Sequence, residues 1–222
     1  MDSARWTLGK MQNPVRGILH GSAAVAAVVG TLFLVIIAPN WGLRIGVIIF
    51  GGALVALYTT SSLYHSIPWC DAAKKRMQRL DHSMIIALIA GTYTPIIIAT
   101  LDGPLRWTAL AVAWGAVLVD GLQHLLYPTD RQGFSMALGA GMGWLGIALA
   151  GKFVSELGWT AAGLAALGGV IYTIGMFLLI TNRPRLWPRV FSYHEVFHVL
   201  VVAASIVHFV VVWRYVLPLG AA

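Results

Sequence analysis

The sequence predicts an all-α membrane protein: a bundle of seven transmembrane helices that forms one domain over residues 1–222. Of the 222 residues, 59% are hydrophobic and only 10% are charged, a balance that is not typical of soluble domains. Seven apolar runs each approach the roughly 20 residues that an α-helix needs to cross the hydrocarbon core of a bilayer. The connections between them are short, so no soluble domain is left over. The single cysteine, Cys70, excludes an intrachain disulfide framework.

The predicted spans follow one another with proline or glycine at most of the breaks. Their approximate bounds are 18–38, 43–65, 80–100, 105–125, 133–154, 159–181 and 193–217. The first run is too long for the core of a signal peptide and is therefore predicted to be a span. Pro95 predicts a kink in the third span. Four glycines in the fifth run predict a smooth face on which another helix packs closely; they are Gly139, Gly141, Gly143 and Gly146.

Lysine and arginine predict the orientation in the membrane. If the chain crosses seven times, eleven of the fifteen lie on the side of the N-terminus: Arg5, Lys10, Arg16, Lys74, Lys75, Arg76, Arg79, Arg131, Arg183, Arg185 and Arg189. The other side receives Arg44, Arg106, Lys152 and Arg214. Because positively charged loops stay in the cytoplasm, the N-terminus is predicted to be cytoplasmic and the C-terminus outside.

The formal net charge of +7 has two interpretations. In a soluble protein it would favour nucleic acid as a partner, but no basic helix stands outside the apolar runs. We therefore predict no nucleic-acid binding. The charge is attributed to membrane topology and to attraction for anionic lipids.

The last span opens with ionisable residues, although a charged group inside a membrane helix is costly and usually functional. Ser192 and Glu195 have the spacing of a capping box, which predicts the helix start. His194 and His198 follow four residues apart, so they share one face of the helix. Such a pair favours a metal site at the cytoplasmic end of the span.

Three more polar residues are predicted to arrive at the same depth. Ser61 and His65 end the second span at the cytoplasmic face, and Asp81 begins the third span there. Three neutral imidazoles can fill three corners of a tetrahedron and leave the fourth open, which is the ligand count of a catalytic zinc. Asp81 can then act as a general base or bond an imidazole, and the Ser61 hydroxyl can stabilise an oxyanion. The alternative is a structural role, in which these side chains only form hydrogen bonds between helices.

Four other histidines and one aspartate receive different interpretations. His82 points away from Asp81 and is predicted to be structural, and a lone His20 in the first span is predicted to be a packing residue. Asp120 and His124, four apart in the fourth span, are predicted to pair with each other. His208 lies too far along its helix to join the same metal as His198. A transporter or proton channel through Asp120, His124 and His208 is the least favoured function.

Four segments resemble the haemolysin III branch of the progestin and adipoQ receptor (PAQR) family. They are 61–66 (SSLYHS), 79–83 (RLDHS), 90–95 (AGTYTP) and 194–201 (HEVFHVLV), and they are distributed along essentially the whole chain. The wider superfamily includes the alkaline ceramidases and has seven helices with a zinc site near the cytoplasmic face. The resemblance implies that His65, His194 and His198 bind Zn²⁺ beside Asp81 and Ser61.

Two functions follow from these expectations. The first is a zinc-dependent hydrolase of a lipid amide or ester, in which Asp81 and Ser61 are catalytic and the lipid enters from the bilayer. The alternative is a non-enzymatic membrane-homeostasis or lipid-sensing protein, resembling the receptors of the family, in which zinc is structural. In either case the expected location is the inner membrane of a bacterium, and the expected partners are membrane lipids.

Overall fold

The computed structural model describes residues 11–127, 132–187 and 190–221, and every regular element within these ranges is helical. The helices are α1 (Pro14–Ile37), α2 (Trp41–Ser66), α3 (Asp71–Thr100), α4 (Gly103–Leu126), α5 (Gln132–Gly143), α6 (Ala150–Thr181) and α7 (Tyr193–Val211). A 3₁₀ turn at Leu145–Ile147 follows α5, and α7 continues as a π-helix over Val212–Val216 and a last turn at Leu217–Leu219. The all-α prediction is confirmed.

Six of the described helices are long and apolar enough to cross a membrane. They are α1, α2, α3, α4, α6 and α7 with its extension to Leu219, and a seventh apolar segment, Gly133–Ile147, is shorter. Large apolar side chains cover the outside of the bundle; Ile36 and Leu125 are each 78% exposed. A soluble protein would bury such residues, so the chain is an integral membrane protein whose outer surface faces lipid.

The core is formed where α1 packs along α2, α2 along α3, and α6 along α7. Its apolar centre includes Leu34, Val47 and Phe50, which are fully buried. Helix starts are set locally: Pro14 occupies the first turn of α1, and the side chain of Asn40 accepts a hydrogen bond from the Leu43 N–H (3.0 Å) at the start of α2.

The fifth apolar run differs from the continuous helix predicted over 133–154. Helix α5 ends at Gly143 after 12 residues, the 3₁₀ turn intervenes, and helical structure resumes at Ala150. Within α6, Gly158 has a φ of 81° and divides the helix in two. Glycine is a poor helix former and readily adopts positive φ, so the glycine-rich run breaks the helix where a packing face was predicted.

Tyr93 stabilises this break. Its hydroxyl accepts a hydrogen bond from the Gly146 N–H (2.9 Å) and donates one to the Gly143 carbonyl (3.0 Å). Backbone groups at membrane depth need internal partners, and a single side chain of α3 supplies two of them. Pro95 lies inside α3, which continues to Thr100.

Orientation relative to the cell stays a prediction. Seven of the eleven residues that predict the cytoplasmic side are described; Arg5, Lys10, Arg131 and Arg189 lie outside the described residues.

Labelling of the single cysteine tests the orientation. Cys70 is exposed between α2 and α3, so a membrane-impermeant maleimide is expected to leave it unlabelled in spheroplasts and to label it in inside-out vesicles. The matched control is Asp102→Cys in a Cys70→Ala background, because Asp102 lies in the next connection and its side chain is 90% exposed. The control is expected to show the reverse pattern. Labelling of Cys70 in intact spheroplasts would contradict the predicted topology.

Candidate metal centre

Three histidines from two helices meet at one end of the bundle. His65 is in the last turn of α2, and His194 and His198 are in the first two turns of α7. One ligand atom from each ring lies within 4.8 Å of the other two. Ring centroids are 5.3 Å apart for His65 and His194, and 4.8 Å apart for His65 and His198. Within the described ranges, this is the one cluster of potential ligands that can hold a metal ion.

The start of α7 is fixed by the predicted capping box. The Glu195 carboxylate accepts a hydrogen bond from the Ser192 N–H (2.8 Å), and the Ser192 side chain accepts one from the backbone of Glu195. The second carboxylate oxygen of Glu195 forms an ion pair with Arg16 Nε of α1 at 2.7 Å. Because Glu195 is buried and held from two sides, the rotation of the first turn is set, and His194 and His198 face α2.

The start of α1 fixes the position of the end of α2. The Asn13 N–H donates to the carbonyl of His65 itself (2.8 Å), and the Ser62 hydroxyl donates to the Gly17 carbonyl (2.7 Å). The contact is close, because a Cβ at position 17 would meet the Ser66 hydroxyl and force that side chain to rotate. Helix α1 therefore orders both histidine-bearing helix ends.

Ser61 and Asp81 lie beside the histidines. Both are buried, and the Ser61 hydroxyl lies close to the Asp81 carboxyl group. Ser61 precedes His65 by one helical turn, and residues four apart on a helix have Cβ atoms about 5–6 Å apart. This proximity brings the carboxyl group of α3 to within about one turn of the cluster.

The polar atoms of the cluster fit a metal ion. His65 Nε2 and His198 Nδ1 are buried and have no hydrogen-bond partner among the described residues. Most buried polar side-chain atoms in proteins are hydrogen-bonded, so such atoms require an explanation. Neutral imidazole nitrogens with free lone pairs are metal ligands, and three of them leave one coordination position open. A divalent cation would satisfy these atoms.

An apolar cavity of about 210 Å³ lies within the bundle. Its lining comes from α2, α3, α5, α6 and α7 and includes Leu57, Tyr172 and Val201. Leu57 is one turn before Ser61 on α2, and Val201 is less than one turn beyond His198 on α7. The apolar lining thus comes to within one turn of His198 along α7, although neither the three histidines nor Ser61 and Asp81 line the cavity.

Asp120 and His124 form a separate polar network. Asp120 is fully buried and accepts hydrogen bonds from the hydroxyls of Ser83 (2.6 Å) and Ser135 (2.5 Å) and from the Gln123 amide (3.3 Å). His124 Nε2 lies 3.6 Å from the Asp120 carboxylate, in the contact predicted from their spacing. The network joins α3, α4 and α5. Its geometry favours an interhelical tie over a transport path.

The remaining histidines lie apart from the three clustered rings or at their margin. His208 Nδ1 is 2.9 Å from the Ala204 carbonyl, and its ring lies over Gly168 of α6. His82 is half-buried and does not join the cluster. His20, which the sequence predicts to be a packing residue, lies against His198 with ring centroids 4.0 Å apart. The only sequence signal for this contact is its position in the cytoplasmic half of the first span.

These features define the class of protein: a polytopic helical membrane protein with a largely buried triple-histidine cluster at one end of the helix bundle. Comparison with known sequences gives the family. A family model described as "Haemolysin-III related" matches residues 9–209, and the chain belongs to this family. The resemblance to the haemolysin III branch of the PAQR family is thereby confirmed.

Three relatives illustrate the similarity. "Hemolysin-3" of Bacillus cereus is 32% identical over 204 residues, which is 90% of each chain. "Hemolysin-3 homolog" of Bacillus subtilis (strain 168) is 30% identical over 201 residues, covering 89% of this chain and 91% of that protein. "Monocyte to macrophage differentiation factor" of Homo sapiens is 25% identical over 206 residues, covering 88% and 81%.

Removal of the Asp120 carboxylate tests the interhelical tie. In Asp120→Ala, the hydroxyls of Ser83 and Ser135 lose their carboxylate acceptor and the Gln123 amide keeps only Ser135, which is expected to cost about 2–3 kcal/mol. For a chain of this size the apparent unfolding temperature in detergent should fall by roughly 4–12 °C. The control Asp102→Ala removes an exposed carboxylate and should leave it nearly unchanged. An unaltered unfolding temperature in Asp120→Ala would show that the network does not stabilise the bundle.

Proposed function

We propose that this protein is a zinc-dependent hydrolase of a lipid amide or ester in a bacterial inner membrane. The observation that carries the proposal is the buried three-histidine cluster with the Ser61–Asp81 pair one turn away. Three histidines with an open fourth position are the ligand set of catalytic zinc, whereas closed four-ligand sets are structural. In this proposal His65, His194 and His198 hold the ion.

The chain's own residues divide the chemistry between them. When bound, zinc supplies a Lewis acid that polarises a carbonyl and activates water. Asp81 takes the proton of the attacking water as a general base and returns it to the leaving amine or alkoxide as the C–N or C–O bond breaks. The Ser61 hydroxyl stabilises the negative charge that develops on the carbonyl oxygen. Burial of both side chains strengthens these interactions, because the site is shielded from bulk water.

The lipid class is inferred from the cavity. An acyl chain would lie along the apolar lining that includes Leu57 and Val201, with its carbonyl directed to the histidines. A substrate of this kind enters sideways from the bilayer and needs no aqueous channel. The Bacillus relatives support a bacterial cytoplasmic membrane as the location.

A second function is favoured by the placement of the ligands. His65 is on α2, and the other two histidines are on α7, so a bound ion would tie together helices that α1 otherwise bridges. In this alternative zinc is structural, and the protein senses or adjusts the lipid state without turnover.

Metal analysis tests the ligands. Purified protein is expected to contain about one zinc ion per chain, and His194→Ala and His198→Ala should each lose most of it because two imidazoles bind zinc weakly. His124→Asn is the matched control, because it removes a half-buried histidine of the separate network, and it should retain the metal. Full occupancy in the His194→Ala/His198→Ala double variant would refute the ligand assignment.

Turnover tests the catalytic role of Asp81. The zinc-loaded protein in mixed micelles should hydrolyse an N-acyl amide or an acyl ester of a lipid. Asp81→Asn should lower the rate by about 10²–10⁴-fold while keeping its zinc, because the amide cannot accept the proton. Asp71→Asn, an exposed position in the first turn of the same helix, is the control with unchanged rate. If the zinc-loaded wild type shows no turnover on either substrate class, the structural alternative is favoured.

A further inference from the structure

Tyr172 of α6 lies between the apolar cavity and the candidate metal centre. It lines the cavity, and its ring packs against Phe197 of α7 with the centroids 6.4 Å apart and the planes at 62°. Phe197 in turn lies 6.3 Å from the ring of His194 and 5.8 Å from that of His198. Tyr172 is also close enough to Asp81 of α3 for the two side chains to interact electrostatically. It therefore links a cavity that the residues of the centre do not line to the centre itself.

Two buried glycines hold Tyr172 against α7. Gly168 precedes it by four residues and Gly175 follows it by three, so all three lie on one face of α6. A Cβ at Gly168 would collide with the ring of His208, and a Cβ at Gly175 would lie 3.3 Å from Phe197. Because neither glycine has a side chain, α6 approaches α7 closely on both sides of Tyr172.

The Tyr172 hydroxyl has no hydrogen-bond partner among the residues that the structure describes. Most other polar groups of the lining are occupied. The hydroxyls of Thr92 and Thr173 each donate to a carbonyl four residues earlier at 2.8 Å. Tyr93 bonds the helix break after α5, and His208 Nδ1 lies 2.9 Å from a carbonyl of its own helix. Tyrosine hydroxyls in protein interiors usually have a partner, so a free one at a cavity indicates that a ligand supplies it.

We propose that the Tyr172 hydroxyl donates a hydrogen bond to the carbonyl oxygen of an acyl lipid whose chain occupies the cavity. This contact selects lipids that carry a carbonyl group and holds that group beside Asp81. The proposal rests on the lipid class inferred in the proposed function, because the acyl chain must lie in this cavity. It does not depend on turnover, so it applies equally if the protein only senses lipids.

Two other roles of Tyr172 make different predictions. A packing role depends on the ring, which Tyr172→Phe keeps against Phe197, so lipid binding would be unchanged in that variant. If the hydroxyl instead acts on Asp81, the variant would alter turnover without altering which lipid is bound.

Binding of two matched lipids tests the proposal. They are 1-palmitoylglycerol and 1-hexadecylglycerol, which has a methylene in place of the carbonyl group. The full-length protein is stripped of metal with a chelator, so that the ester is not hydrolysed, and the affinities are measured in detergent by scintillation proximity. We expect the wild type to bind the ester about 3–10-fold more tightly than the ether, the worth of one neutral hydrogen bond. Tyr172→Phe should lose this preference by weakening the ester alone.

Two further variants serve as controls. Tyr215→Phe removes a hydroxyl from the π-helix Val212–Val216 and should keep the preference of the wild type. Gly169→Leu fills the cavity, because Gly169 lines it and a Cβ there meets open space. This variant should weaken binding of both lipids. Elution profiles and unfolding temperatures identify any variant that misfolds.

Each contrary outcome bears on a different claim. A wild type without preference, or a preference retained in Tyr172→Phe, would overturn the role of the hydroxyl while leaving the proposed hydrolase intact. Equal weakening of both lipids in Tyr172→Phe would show that the ring matters and the hydrogen bond does not. If the wild type binds neither lipid, or if Gly169→Leu binds both as the wild type does, the cavity is not the acyl site. The lipid class of the proposed function then fails, and the role of Tyr172 falls with it.

Discussion

The arrangement of this protein depends on one constraint: a polar atom inside a lipid-embedded bundle must find its partner within the protein. Most of the buried polar groups described above obey it. Asp120 accepts hydrogen bonds from side chains of three helices. The Tyr93 hydroxyl is hydrogen-bonded to two backbone groups at the break after α5. Glu195 forms an ion pair with Arg16 and caps the start of α7. Against this background, the unpaired ring nitrogens of His20, His65 and His198 are exceptions that cluster at the candidate metal centre.

Helix α1 carries no ligand of the proposed centre, yet it holds both helices that do. Asn13 bonds the backbone of His65, Gly17 receives the Ser62 hydroxyl, and Arg16 pairs with Glu195 next to His194. A divalent site requires ligand atoms placed to within a few tenths of an ångström, and helix ends fray unless they are tied. The first span thus supplies the rigidity that the second and last spans lack at their ends.

Much of this could be predicted from local patterns. The apolar runs predict the helices, the spacing of Ser192 and Glu195 predicts the start of α7, and four-residue spacing predicts that His194 and His198 share a face and that Asp120 contacts His124. Two features could not be predicted in this way. The break after Gly143 depends on a hydroxyl from α3, and the contact of His20 with His198 joins residues 178 positions apart by tertiary packing alone.

The ion pair between Arg16 and Glu195 joins the first span to the last, and this has a consequence for biosynthesis. During synthesis the amino-terminal helix enters the bilayer long before residues 193–211 leave the ribosome. His65 therefore lacks His194 and His198 as neighbours until the final segment has been inserted and has packed against the bundle. At the proposed metal centre, loading with a cation would then be a late maturation event, and a nascent chain arrested before the last helix would hold an incomplete set of ligands, however well its earlier helices had packed.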